Sequence, residues 1–161
     1  MVDVFLLTAT LFIPLTALAY IDARTGYLPN TLVLPLIPVG ISAQFLLGQS
    51  PLSSLIGAGL GYGLFVGIEK GYKALRGVEG LGRGDAKLFA VGGAWCGAMA
   101  LPMIGVLAGI SGLGYALILH LLGRGLTRTS SLVLGPHLAL AIGCTWILKA
   151  WAGPYLGLSL T

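Results

Sequence analysis

Apolar residues in this chain run in six long blocks, at residues 4–21, 31–47, 52–68, 86–101, 103–122 and 136–151. A bilayer hydrocarbon core about 30 Å thick is crossed by about 20 apolar residues in a helix, and the shorter blocks fit helices that are tilted or thinly packed. The pattern predicts an all-α, polytopic fold of about six transmembrane helices, with residues 1–161 as one transmembrane domain. The fourth block is the weakest, because Gly92-Gly93 and Gly97 allow close helix approach and equally a broken helix. Breaks are expected at Thr25-Gly26-Tyr27-Leu28-Pro29-Asn30, at Gly48-Gln49-Ser50-Pro51, over the long segment 69–85, at Pro102 and over 123–135. No internal repeat is visible.

Composition agrees with the pattern. The chain is 57% hydrophobic and 9% charged, with a mean hydropathy of +0.96, far outside the soluble globular range. The net charge of +4 does not point to nucleic acid, since the basic residues are scattered between apolar blocks rather than gathered on one stripe. Cys96 and Cys144 stand in apolar sequence without CxxC or Cys/His spacing, so they read as small buried hydrophobes rather than a disulfide or a zinc site. Met1-Val2-Asp3 lacks the basic start of a cleaved signal peptide, so the first block reads as a retained span.

Lysine and arginine mark the cytoplasmic loops of a membrane protein. Arg24 lies in the first loop, Lys70, Lys73, Arg76, Arg83 and Lys87 in or beside the third, and Arg124 and Arg128 in the fifth. The other side has Lys149 alone. Both termini are therefore expected outside, which sets Asp22 and Asp85 at the same cytoplasmic face.

Those two aspartates are the candidate chemistry. A charge in or beside lipid costs about 2.5–3.5 kcal/mol on insertion scales, so intramembrane carboxylates read as functional by default. Two carboxyls brought close share a proton, and such a pair can draw a proton from water with one member and donate to a carbonyl with the other. Gly80, Gly82 and Gly84 around Asp85 are expected to admit backbone conformations closed to other residues and the close approach of an extended substrate. The alternatives are that Asp85 caps the fourth helix, that the aspartates pair with cations, or that they relay protons. Asp22 with Arg24, and Asp85 with Lys87, stand two apart, a spacing that does not join side chains on a helix. Glu69 and Lys73, four apart, read as a helix-end pair.

Three separated segments resemble the prepilin peptidases, the type IV leader peptidase family of GxGD membrane aspartyl proteases. They are Ile21-Asp22-Ala23-Arg24-Thr25-Gly26-Tyr27-Leu28-Pro29-Asn30, Glu79-Gly80-Leu81-Gly82-Arg83-Gly84-Asp85-Ala86-Lys87-Leu88 with its continuation through Gly97, and Gly135-Pro136-His137-Leu138-Ala139. The resemblance implies that Asp22 and Asp85 are the catalytic aspartates of an endopeptidase in the inner (cytoplasmic) membrane, acting on a water with no metal or organic cofactor. It implies prepilin or pseudopilin helices as substrates, with a short basic leader cut after a glycine at the cytoplasmic surface. Membrane lipids are the other expected partners. Gly82, Gly84, Glu79, Lys87, Pro29, Asn30 and Pro136 match the motifs as supporting or substrate-binding positions. Larger members of the family add an N-terminal cytoplasmic domain, usually with paired cysteines, linked to methylation. This chain starts in its first span without such a pair, so methyltransferase activity is not expected. His137 stands where the family more often has an aromatic residue, and it and His120 are expected to pack. Trp95, Trp146 and Trp151 are read as packing or interface anchors. The competing class is a small proton-coupled transporter or relay subunit.

Overall fold

A computed structural model describes residues 4–77, 82–123 and 134–152. The helices are α1 (Val4–Thr25), α2 (Asn30–Leu46), α3 (Pro51–Arg76), α4 (Arg83–Cys96), α5 (Leu101–Leu121) and α6 (Gly135–Ile147). A single 3₁₀ turn at Ala98–Ala100 leads into α5, and a π-helical turn at Leu148–Ala152 prolongs α6. Among the described residues there is no strand. Segments Val4–Thr25, Pro51–Leu75 and Ala98–Leu121 are long and apolar enough to cross a membrane, and α2 is a shorter apolar helix.

The six apolar blocks each became a helix, with three boundary corrections. The third helix does not stop at Ile68 but runs on to Arg76, because Glu69 stays buried while Lys70, Lys73 and Leu75 face outward. Gly92-Gly93 does not break α4; the break falls at Gly97, whose φ of +87° only glycine adopts readily. Pro102 is no break either, since it sits in the first turn of α5, where a missing N–H costs nothing.

α4 is the centre of the bundle. Its 14 residues span about 21 Å at 1.5 Å per residue, and every residue from Leu88 to Cys96 is buried, as expected of a helix apolar all round. It packs against α2, α3, α5 and α6, while α1 packs on α6 and α2. The other helices turn large apolar side chains outward, among them Phe5, Ile13, Leu55, Ile110 and Leu113.

Contact between α3 and α4 is backbone to backbone. A Cβ on Gly57 would lie 2.5 Å from the Gly93 carbonyl oxygen and one on Gly61 2.9 Å from that of Phe89, so small residues set how closely the helices approach. At the end remote from both aspartates, Trp95 donates to the Leu36 carbonyl at 2.8 Å and meets Trp146 edge-on at 5.2 Å. Trp146 in turn donates to the Thr8 hydroxyl at 3.0 Å. Lys149 donates to Gln44 Oε1 at 3.0 Å and to the Cys96 carbonyl at 3.1 Å, and Gln44 donates to the Trp95 carbonyl. These bonds tie α1, α2, α4 and α6 together at one end and leave their other ends to converge on the polar residues.

Candidate active site

On α1 the buried positions are Leu7, Leu11, Leu15, Leu18 and Asp22. Asp22 therefore continues a leucine stripe inward, and only 5% of it is exposed. Its carboxylate Oδ2 accepts the backbone N–H of Gly135, the first residue of α6, at 3.0 Å. One turn later Gly26, at φ +63°, ends α1 by donating to the Asp22 carbonyl at 2.8 Å. Pro29 then opens α2, its carbonyl accepting the N–H groups of Leu32 and Val33.

Asp85 lies in the first turn of α4, ahead of the apolar run that starts at Ala86. It does not cap the helix. Gly82 holds that position, with its carbonyl accepting the Asp85 N–H at 3.0 Å. The unusual backbone expected of the flanking glycines is absent at Gly82, where φ is −74°, and at Gly84, which is helical. Their use is room: a Cβ on Gly84 would lie 3.1 Å from the Leu28 side chain, and one on Gly82 3.2 Å from Asp85 Oδ2. Leu28, itself 5% exposed, thereby seats the loop after Asp22 directly on the turn that carries Asp85. Burial, and then the negative charge of Asp22, push the Asp85 carboxyl up to about 6.

Both carboxyls line one cleft of about 320 Å³. Its walls are Gly26 to Leu28 and Asn30 on one side and Gly82 to Gly84 and Lys87 on the other. Lys87 bridges them by donating to Asn30 Oδ1 at 2.8 Å, a partner from another helix, as its spacing from Asp85 requires. Arg24 lies over the Tyr20 ring at 5.3 Å. Arg83 reaches Glu69 on α3 at 3.6 Å. Of the supporting positions read from sequence, Gly82, Gly84, Asn30 and Lys87 line the cleft. Pro29 shapes the turn beside it, Pro136 lines a separate apolar groove, and Glu79 lies outside the described residues, as do Gly80, Arg124 and Arg128. His137 packs against Tyr115 with ring centroids 5.6 Å apart and planes tilted by 48° and is not part of the cleft, and His120 is exposed at the end of α5. Among the described residues no three His, Cys, Asp or Glu side chains gather as a metal ion requires.

Two residues do more than the sequence reading gave them, Gly135 having entered only within the third motif and Glu69 only as a helix-end partner of Lys73. Gly135 touches Asp22 directly, and a Cβ there would stand 2.7 Å from the Asp22 Cγ. Its signal was position, a glycine just before the proline that opens the last apolar block. Glu69, 7% exposed, carried the signal of an acid in the last stretch of a long apolar helix.

The model of the type IV leader peptidase family matches residues 9–117. A relative from Escherichia coli (strain K12), named prepilin leader peptidase/N-methyltransferase, is 42% identical over 124 residues, covering 76% of this chain and 54% of the relative. Relatives of the same name from Aeromonas salmonicida (strain A449) and Dichelobacter nodosus are 38% and 40% identical, covering 85% and 89% of this chain and 46% and 49% of theirs. The chain spans about half the length of the curated relatives it matches. No solved structure matches it.

Proposed function

The chain belongs to the type IV leader peptidase family, and from that premise we propose that it is a membrane aspartyl endopeptidase that removes the short basic leader of prepilins or pseudopilins. The observation that carries the reading is the cleft at one end of the bundle that Asp22 and Asp85 line together. One carboxylate takes a proton from a bound water, whose oxygen attacks the scissile carbonyl carbon; the other, protonated, donates to the carbonyl oxygen. Collapse of the tetrahedral intermediate breaks the C–N bond, and a carboxyl proton passes to the leaving amine. Repulsion between the paired carboxyls favours the singly protonated state that this exchange starts from.

The cleft's other groups suit a peptide substrate. Asn30 and the backbone of Gly26 to Leu28 offer donors and acceptors to an extended chain, and the abundance of Lys and Arg at this end favours a cytoplasmic location in the inner membrane. Glu79, outside the described residues, is the acid that the second motif offers for a basic leader.

The test is cleavage of a prepilin by the purified protein in detergent. Wild type releases the leader, and Asp22→Asn and Asp85→Asn each abolish turnover while keeping the wild-type helical circular dichroism. Activity that survives either change sinks the assignment.

A further inference from the structure

A second concavity, of about 330 Å³, runs along the outer face of α1 and α6, and its lining is almost wholly apolar. Thr16 and Ala19 form one wall and Pro136, Ala139, Gly143 and Cys144 the other. The only side-chain hydroxyl in it is turned back on its own helix, donating from Thr16 to the Phe12 and Ile13 carbonyls at 2.9 Å each. An occupant therefore meets no free hydroxyl, only the weak S–H donor of Cys144, and needs no polar group. Six of the ten lining residues are small, the others being Phe12, Leu15, Leu140 and Ile147, and small residues are what lets a helix backbone approach another closely in lipid. From Pro136 to Ile147 the groove follows α6 for about 16 Å at 1.5 Å per residue, enough for about three turns of a docked helix.

The groove is a separate concavity from the aspartate cleft, with no lining residue in common, but its end adjoins Asp22. Its walls are the two helices joined by the hydrogen bond from Gly135 to Asp22. At the cleft end Ala19 stands one helical turn from Asp22, and Pro136 directly follows Gly135. A helix lying here and ending at that point would deliver the next stretch of its chain to Asp22.

We propose that this groove is the intramembrane docking site for the apolar helix of the substrate itself, seated between α1 and α6 so that the chain preceding it enters the aspartate cleft. The inference rests on the peptidase reading and adds to it where the uncleaved part of the substrate is held. It makes Thr16 and Cys144 determinants of substrate affinity, remote from the reacting atoms.

Cys144 supplies the probe. It is exposed in the groove, whereas Cys96 is buried, so a benzophenone maleimide added to the folded protein in lipid nanodiscs labels Cys144 selectively. Photolysis of labelled Asp85→Asn protein, which binds without cutting, is expected to cross-link a full-length prepilin through its apolar helix and to be competed by unlabelled substrate. The same label on Leu113→Cys, in a Cys144→Ser background, reports the outer face of α5 and is expected to give no such product. Adducts to lipid or to a second copy alone, no adduct, or equal cross-linking from both positions would each overturn the proposal. Kinetics give an independent readout. Thr16→Leu and Cys144→Trp, both at exposed positions, are expected to raise KM for full-length prepilin at least tenfold and leave kcat, and the cleavage of a short peptide spanning only the leader and cut site, unchanged. A wild type that cleaves neither substrate refutes the peptidase reading; a wild type that cleaves both, with variants that match it, refutes the groove alone.

Discussion

Gly135→Ala is the substitution with the sharpest consequence. The added Cβ would meet Asp22 Oδ2 within van der Waals radii and stand 2.7 Å from Asp22 Cγ, where ordinary contact begins near 3.4 Å. Gly135 is the first residue of α6, and α6 packs along α1, so the backbone has little freedom to retreat. The carboxyl must move instead, by about 0.7 Å, and the 3.0 Å hydrogen bond that orients it stretches or breaks. A misplacement of about 1 Å in a reacting group costs on the order of 10²-fold in rate, equal to about 2.7 kcal/mol in the barrier. Gly82→Ala provides the graded control. There the new Cβ lies 3.2 Å from Asp85 Oδ2 and 3.9 Å from its Cγ, and the position is exposed. The Asp85 carboxyl needs only a few tenths of an ångström, so Gly82→Ala is expected to stay within about threefold of wild type. The assay is prepilin cleavage in detergent, with kcat and KM measured separately and thermal melts run beside them. The loss in Gly135→Ala is expected in kcat. Turnover of that variant within about threefold of wild type, or a Gly82→Ala more damaged than Gly135→Ala, would refute the reasoning.

Two further predictions concern stability. The Asp85 carboxyl, raised to about 6 from an ordinary 3.8, favours its neutral form on folding, so its contribution is full below pH 3.8 and is lost as pH rises through 6. Asp85→Asn, which cannot ionise, is therefore expected to melt above wild type at pH 8 by the equivalent of about 3 kcal/mol and to come within about 1 kcal/mol of it at pH 4, and a gap independent of pH would contradict this. Trp95→Phe removes the donor to the Leu36 carbonyl in a fully buried site and is expected to cost about 1–3 kcal/mol at every pH in denaturant or thermal unfolding, with kcat per folded molecule unchanged; a kcat loss beyond about threefold would show that the remote end is not mechanically separate from the cleft.

The helices were legible because each apolar block is long and bounded by glycine, proline or charge, and in lipid that pattern has few other outcomes. What the sequence hid was which breakers break. Gly97 and Pro102 stand five apart, yet only Gly97 turns the chain, since its φ is positive while Pro102 occupies a helical first turn that suits proline. The polar tail of α3 looked like loop because its charges are frequent, but Lys70 and Lys73 fall on outward positions while Glu69 is buried and pairs with Arg83. Asp22 and Asp85 were legible as costly charges. Their positioning was not, because it depends on long-range contacts: Gly135 lies 113 residues from Asp22, and Leu28 meets Gly84 only in the folded bundle. Asp22 did carry one unread signal, its place on the Leu7, Leu11, Leu15, Leu18 stripe, which alone says the carboxyl faces inward.

Burying a carboxylate at the end of a leucine stripe destabilises the fold unless something donates to it, and among the described residues the bundle answers with a backbone donor rather than a cation. That choice has a chemical consequence. An Arg or Lys bonded to Asp22 would hold it permanently ionised and occupy the space a water needs, whereas one N–H at a helix start orients a single oxygen and leaves the other for the cleft. The two cations that line the cleft are engaged by other partners, Lys87 by Asn30 and Arg83 by Glu69. Buried Glu69 thus draws Arg83 to α3, and in the cleft that the two carboxyls line together burial, and then the negative charge of Asp22, are what raise the Asp85 carboxyl.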